Sequence, residues 1–246
     1  MIEGAIQFYL EKHNFNTFNL KAVLFDMDGV LYDSMRHHSE AWVKAMIESG
    51  LPFTHYDAYI NEGRTGTATI NSVFVKLNGR EAAEDEKQAI YALKSKYFEE
   101  LGEPIQMPYA YDILKKLKAK GLKIMVVTGS AQPLLIESLT LHFPDMFTKD
   151  DVISAFDVSN GKPHPEPYLK ALERAGIKPW EAVVIENAPM GVLASSTAQI
   201  FTIGVNTGPL EPVILTQNGA NIVLLSMKEL FEKWDEFHFE KTYKMK

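Results

Sequence analysis

The chain has 246 residues, 46% hydrophobic and 23% charged, with a formal net charge of −7 and no cysteine. That size and composition suit one large soluble domain, or a core domain with an insert. A disulfide framework and a thiolate zinc site are excluded, and the acidic balance argues against a general nucleic-acid binder, although a bound metal and local cations can reverse the field inside a pocket. No apolar run approaches the ~20 residues that cross a bilayer. The opening Met1-Ile2-Glu3-Gly4-Ala5 lacks the basic start and apolar core of a signal peptide. The expected setting is the cytoplasm, with no membrane or nucleic-acid partner.

In chain order, residues 1–20 read as a short amphipathic helix (Ile2, Ile6, Tyr9, Leu10) followed by an Asn-rich turn at Asn14 to Asn19. This segment is expected to be an appendage on the core, or partly disordered. Residues 21–25 are a short apolar strand buried on both faces, and they run directly into Asp26-Met27-Asp28-Gly29. Strand ends in open α/β sheets are where ligands bind. Two carboxylates spaced by two on extended chain point to one side, and such close like charges call for a cation or a shared proton. Mg²⁺ prefers oxygen ligands of this kind. The same residues also suit a solvated Asp-x-Asp-Gly turn.

Between about Asp33 and Pro104 the pattern is helical only, over Ser34–Ser49, Thr67–Lys76 and Glu81–Glu100. This reads as an inserted cap able to close over the strand ends, or as a helical decoration that never moves. Trp42, Phe74, Tyr91 and Tyr97 sit at helical spacings and are expected in the cap core. Strands and helices then alternate: a helix over Tyr109–Lys120 stopped by Gly121, a strand over 122–127, a helix over Pro133–His142, a strand over 152–154, a helix over Pro167–Ala175 closed by Gly176, and strands over 182–185, 201–205 and 222–225. That alternation predicts βαβ units and a parallel sheet.

Three further strand ends carry chemistry. Thr128-Gly129-Ser130 offers hydroxyl and backbone N–H donors to an anion, or is an ordinary βα turn. Lys162 sits in Gly161-Lys162-Pro163-His164-Pro165-Glu166-Pro167, where three prolines stiffen the approach to a helix; it can pair with carboxylates and a phosphoryl oxygen, or be a surface lysine. Glu186-Asn187 supplies oxygen ligands for a hard cation, or an N-cap before Pro189. Taken together they assemble a nucleophile, an acid, an anion cradle and a metal site, which is the kit phosphoryl transfer needs.

On these motifs the chain resembles the haloacid dehalogenase-like phosphotransferase superfamily over residues 20 to 230. Within it, the likeness is to the branch of β-phosphoglucomutase and related phosphatases, which carries a helical cap after the first motif. The resemblance implies an α/β, Rossmann-like core with a parallel sheet (21–32 and 105–246), a cap at 33–104 and an N-terminal extension at 1–20. It implies Asp26 as the nucleophile that becomes an aspartyl-phosphate, Asp28 as the general acid and base, and Thr128 and Lys162 as holders of the phosphoryl oxygens, with Gly129 and Ser130 nearby. The implied Mg²⁺ ligands are Asp26, the main-chain carbonyl of Asp28 and Asn187, with Glu186 beside them.

Many relatives carry Asp where this chain has Asn187. Glu62, in the Gly-flanked turn Asn61-Glu62-Gly63-Arg64-Thr65-Gly66, is the candidate to restore the missing charge. The stretch Asn61 to Asn71 and Thr207-Gly208-Pro209 is similar to inorganic pyrophosphatases of this branch. Arg64 suits a distal phosphate or a surface ion pair. His38 matches a histidine near the hinge in mutase-like relatives, or is structural; His37 and His38 diverge by about 100° on a helix and do not form a joint metal site. The expected activity is Mg²⁺-dependent hydrolysis, through an aspartyl-phosphate, of pyrophosphate or another small phosphorylated substrate. The alternatives are a β-phosphoglucomutase and, from another class, a non-catalytic phosphate-binding module. A monomer is expected, because the cap must move.

Overall fold

The computed structural model describes residues 2–130, 135–239 and 241–242. In chain order, α1 (Ile2–His13) and β1 (Thr17–Phe18) precede β2 (Ala22–Phe25). β3 (Tyr32–Asp33) leads out to α2 (Met35–Glu48), α3 (His55–Ile60), α4 (Gly66–Asn78) and α5 (Glu84–Glu100), and β4 (Ile105–Gln106) leads back. The chain continues through α6 (Ala110–Ala119), β5 (Lys123–Val127), α7 (Leu135–His142), β6 (Val152–Ile153), α8 (Glu166–Ala175), β7 (Ala182–Glu186) and α9 (Pro189–Thr197). It ends with β8 (Phe201–Val205), α10 (Pro212–Gln217), β9 (Ile222–Leu224), α11 (Met227–Lys233) and β10 (Lys241–Thr242).

The expected parallel sheet is present, in the order β6-β5-β2-β7-β8-β9. Its strands are continuous apolar runs because helices cover both faces. Alternate residues feed different cores: Val23 and Phe25 pack with α1, α6 and α11, while Ala22 and Leu24 pack with α8 and α9. β2 lies between β5 and β7, so the connections leave it in opposite directions. A crevice opens outside the carboxyl ends of strands at such a point.

The N-terminal segment departs from expectation. It is no appendage: Ile6, Tyr9 and Leu10 are buried in the main core, and the Tyr9 hydroxyl donates to the Gln199 carbonyl at 2.8 Å. β1 pairs antiparallel with β10, and the Phe15 and Trp180 rings lie 4.6 Å apart. An amphipathic helix followed by aromatic residues had this apolar surface to bury, and the sheet face supplied the place.

The helices α2–α5 form a bundle with its own core of Trp42, Met46, Phe53, Ile70, Phe74 and Ile90 among others. The two chain segments joining it to the sheet run side by side as the β3–β4 pair. Tyr91 and Tyr97 differ from the expected core positions: Tyr91 packs against that core but is half-buried, and the Tyr97 hydroxyl donates to Glu48 at the surface. The helix α3 went unread, although Thr54 and Asp57 form a capping box there. Pro133 and Leu134, expected to open the helix that appears as α7, lie outside the described residues.

Candidate active site

The site grows from the end of β2. The Asp26 N–H still donates to Ile185 of β7, after which Met27 O accepts from Val30, Leu31 and Tyr32 and the chain turns. Gly29 turns at φ +81, and a Cβ there would stand 2.0 Å from Asn187 Nδ2. Only glycine lets the Asn187 side chain lie over this turn.

Lys162 is 1% exposed, and its ammonium donates to Asp26 Oδ1 at 2.6 Å, Glu186 Oε1 at 2.6 Å and Val127 O at 2.9 Å. Burial alone would lower the lysine pKa, but Asp26 and Glu186 hold it well above the ordinary value. Burial and then Glu186 push Asp26 up, against the pull of Lys162. The pocket thus holds more carboxylate than one ammonium neutralises. Glu186 is fully engaged: Oε1 also accepts from the Tyr168 hydroxyl at 3.0 Å and Oε2 from the Ala188 N–H at 2.8 Å. Thr128 is buried at the end of β5, and its Oγ1 accepts from the Ser130 N–H at 3.0 Å.

Asp28 belongs to a second chain of contacts. Its Oδ1 accepts from Ser34 Oγ at 2.7 Å and meets His38 Nε2 at 3.0 Å. His38 Nδ1 in turn faces Lys94 Nζ at 3.0 Å. Burial works to raise Asp28, but His38 and Ser34 outweigh it and hold the carboxyl at about 2. Burial and then Lys94 lower His38, and burial lowers Lys94 to about 8. One assignment satisfies every atom: a neutral imidazole donates from Nε2 to Asp28 and accepts at Nδ1 from the ammonium.

The cap closes onto this floor. Glu62 Oε1 accepts from Asn187 Nδ2 at 2.9 Å. The carbonyls of Gly63 and Arg64 sit 3.0 and 3.3 Å from where a Cβ on Gly129 would be. The Thr207 hydroxyl donates to Gly29 O at 2.7 Å, and Gly208 packs beside Tyr59 of the cap. Between the two lies a cavity of ≈ 80 Å³, lined by Asp26, Asp28, Thr128, Gly129 and Ser130 below and by His38, Glu62, Arg64, Tyr91 and Lys94 above, among others. A water needs roughly 10–15 Å³ on that scale, so the space suits a few waters or one compact ligand.

Among the described residues no cluster of three or more His, Cys, Asp and Glu forms a ready-made metal cage. Mg²⁺ does not require one, since it takes one or two carboxylates and completes its shell with carbonyls, waters and substrate oxygens. One atom fits such an ion: Asn187 Oδ1 is buried without a partner among the described residues. Burial and then Asp26 push Glu62 well above the usual carboxylate range, a strain that a divalent cation beside both would relieve.

Asp26, Asp28, Thr128, Gly129, Ser130, His38, Glu62 and Arg64 therefore line one cavity; Lys162 and Asn187 touch that lining, and Glu186 is joined to it through Lys162. Reading the sequence missed Ser34, Lys94 and Tyr168. Lys94 had a signal: it stands one turn after buried Ile90, a charged residue at an apolar position of α5. Ser34 was read only as a helix boundary, yet its hydroxyl makes no cap bond and goes to Asp28.

Comparison with known proteins agrees with this architecture. Residues 20–198 match the family model for haloacid dehalogenase-like hydrolases. A validoxylamine A 7′-phosphate phosphatase of Streptomyces hygroscopicus is 30% identical, over 76% of this chain and 86% of its own length. The β-phosphoglucomutase of Bacillus subtilis is 26% identical, over 91% and 99%. A solved structure from Bacteroides vulgatus, described as a candidate β-phosphoglucomutase, superposes with a TM-score of 0.93 at 47% identity, over 96% of each chain. The chain belongs to the haloacid dehalogenase-like hydrolases, in their β-phosphoglucomutase-like branch.

Proposed function

We propose that the protein is a phosphohydrolase that works through a phosphorylated Asp26 and takes a compact substrate, with inorganic pyrophosphate the preferred candidate. The observation that carries this reading is the contact of Glu62 with Asn187, which draws an acidic cap residue onto the core and leaves only a small cavity. A cap seated this low suits a small, highly charged substrate better than a sugar.

The residues divide the work. A carboxylate oxygen of Asp26 attacks phosphorus while the bond to the leaving oxygen breaks, and Asp28, whose resting carboxyl is ionised, hands that oxygen a proton taken up as substrate binds. Asp28 then takes a proton from water, whose oxygen attacks the aspartyl-phosphate and frees Asp26 and orthophosphate. Thr128, the Gly129–Ser130 backbone and Lys162 hold the phosphoryl oxygens. Asp26, the carbonyl of Asp28, Asn187 Oδ1 and Glu62 would hold Mg²⁺, which when bound supplies positive charge to the phosphoryl group. Glu186 positions Lys162 in this scheme.

A second reading, β-phosphoglucomutase, is favoured by the Asp28–His38–Lys94 chain, which ties the acid–base residue to cap helices α2 and α5. Such a link would time proton transfer to cap closure and shield the aspartyl-phosphate from water, as a mutase requires. The deciding experiment measures phosphate release with Mg²⁺ from pyrophosphate and from sugar phosphates, beside formation of glucose 6-phosphate from β-glucose 1-phosphate. Fast release from pyrophosphate, lost in Glu62→Ala, supports the hydrolase. Efficient isomerisation with little free phosphate replaces it with the mutase.

A further inference from the structure

Tyr168 lies in the first turn of α8, in the buried apolar cluster that includes Leu24, Val127, Leu172 and Val184. Phenylalanine would fill that place as well, and a hydroxyl among apolar side chains costs stability unless it is bonded. Here it donates to Glu186 Oε1 at 3.0 Å. The same oxygen accepts from Lys162 at 2.6 Å, and Lys162 Nζ stands 5.1 Å over the Tyr168 ring. A second residue makes room for this carboxylate: a Cβ on Gly191, inside α9, would stand 1.6 Å from Glu186 Oε1 and 2.1 Å from Cδ. Gly191 does not adopt a positive φ, and glycine inside a helix is unfavourable relative to alanine; the carboxylate is what requires it. Hydroxyl and glycine thus serve one end, the placement of Glu186 Oε1.

Lys162 has three N–H bonds to give, and Asp26, Glu186 and Val127 O take all of them. In the proposed reaction a phosphoryl oxygen takes a share of that ammonium on the Asp26 side, and the other two contacts then decide where Nζ stands. We propose that Tyr168 is a positioning residue for phosphoryl transfer: by sharing Glu186 Oε1 with Lys162, its hydroxyl fixes the carboxylate and, through it, the place of the ammonium against Asp26. The proposal rests on the phospho-Asp26 reading above and holds for either choice of substrate. Without the hydroxyl, Oε1 is left to Lys162, and the undivided carboxylate draws the ammonium towards Glu186 and away from Asp26. A displacement of this kind weakens the transition state more than the bound substrate, because the reacting geometry tolerates little error.

The test measures kcat and KM with Mg²⁺, on pyrophosphate and on β-glucose 1-phosphate, in the wild type, Tyr168→Phe, Glu186→Ala, the double variant and Asp26→Asn, with thermal melting of each. Tyr9→Phe is the control, since it removes another buried hydroxyl, bonded to Gln199 O at 2.8 Å. In Tyr168→Phe the expected result is a fall in kcat of about tenfold on whichever substrate is turned over, with KM kept. The same change costs nothing further in the Glu186→Ala background, and Tyr9→Phe lowers the melting temperature without lowering kcat. Should Glu186→Ala fail to fold, Tyr168→Phe against Tyr9→Phe decides. An unchanged kcat in Tyr168→Phe, whatever its melting, overturns the proposal, as does an equal loss in Tyr9→Phe or in the Glu186→Ala background; the phospho-Asp26 reading survives each of these. Turnover retained in Asp26→Asn overturns that reading, and the proposal with it.

Discussion

The two walls of the cavity are built on different principles. The floor is made by strand ends and the loop before α8: Asp26, Lys162 and Glu186 are almost wholly buried and locked by bonds of 2.6 Å. The roof is made by a Gly-flanked turn and two helices, and Glu62 reaches the floor through one 2.9 Å bond to Asn187. A rigid floor suits chemistry whose atoms must not stray, since small misplacements cost large factors in rate. A separable roof suits selection and release. In the proposed function the reacting groups lie in the core domain, and the residues that select the substrate lie in the bundle.

Attacking the floor should have the largest effect. Asp26→Asn removes the proposed nucleophile, and steady-state phosphate release is expected to fall by on the order of 10⁴–10⁶-fold, while orthophosphate binding followed by calorimetry persists. Retained turnover would mean that the floor is a binding surface only. Next is Lys162→Met, which strands two buried carboxylates. Breaking such a network costs about 3–5 kcal/mol, to be read as a lower urea midpoint. An unchanged midpoint would show that the floor is less rigid than its geometry implies.

Roof variants should do less to folding and more to ligand handling. Glu62→Gln keeps the shape but removes the charge, and apparent Mg²⁺ affinity is expected to weaken about 10–100-fold, measured by titrating the metal against activity. An unaltered affinity would confine the metal to the floor. The smallest expected effect is on stability against pH. The groups facing Lys94 are His38 and, beyond it, Asp28, with Trp42 and Phe98 around the ammonium. Its folded pKa of about 8 lies below the ordinary lysine value of 10.5, so between these values the unfolded chain binds more protons. Stability of the wild type relative to Lys94→Met should therefore rise as pH increases from about 8 to 10.5. A flat difference would remove Lys94 from the buried chain that ends at Asp28.

Much of the floor was legible because strand ends advertise themselves. An apolar run such as residues 22–25 that stops at Asp26 shows both the strand and the site in one line of sequence, and the β2, β5, β7 and β8 boundaries fall within a residue of expectation. The roof was harder to read. Lys94 and Tyr91 lie on one amphipathic helix, α5; the apolar register one turn after Ile90 marks Lys94, but nothing local says that it meets His38 or that Tyr91 leans over a cavity.

The amino-acid order alone determined the alternation of strands and helices, the inserted bundle and the motif-bearing ends of β2, β5 and β7, since these depend on periodicity and on neighbours a few residues apart; Lys162, expected at a fourth strand end, lies instead in the loop between β6 and α8. Tertiary structure decided the rest: that residues 2–18 belong to the core, that Glu186 is occupied by Lys162, Tyr168 and Ala188, that Ser34 serves Asp28 rather than its own helix, and that Glu62 meets Asn187. Those contacts join residues brought together only by the fold, and burial and pairing energies depend on what arrives from elsewhere in the chain.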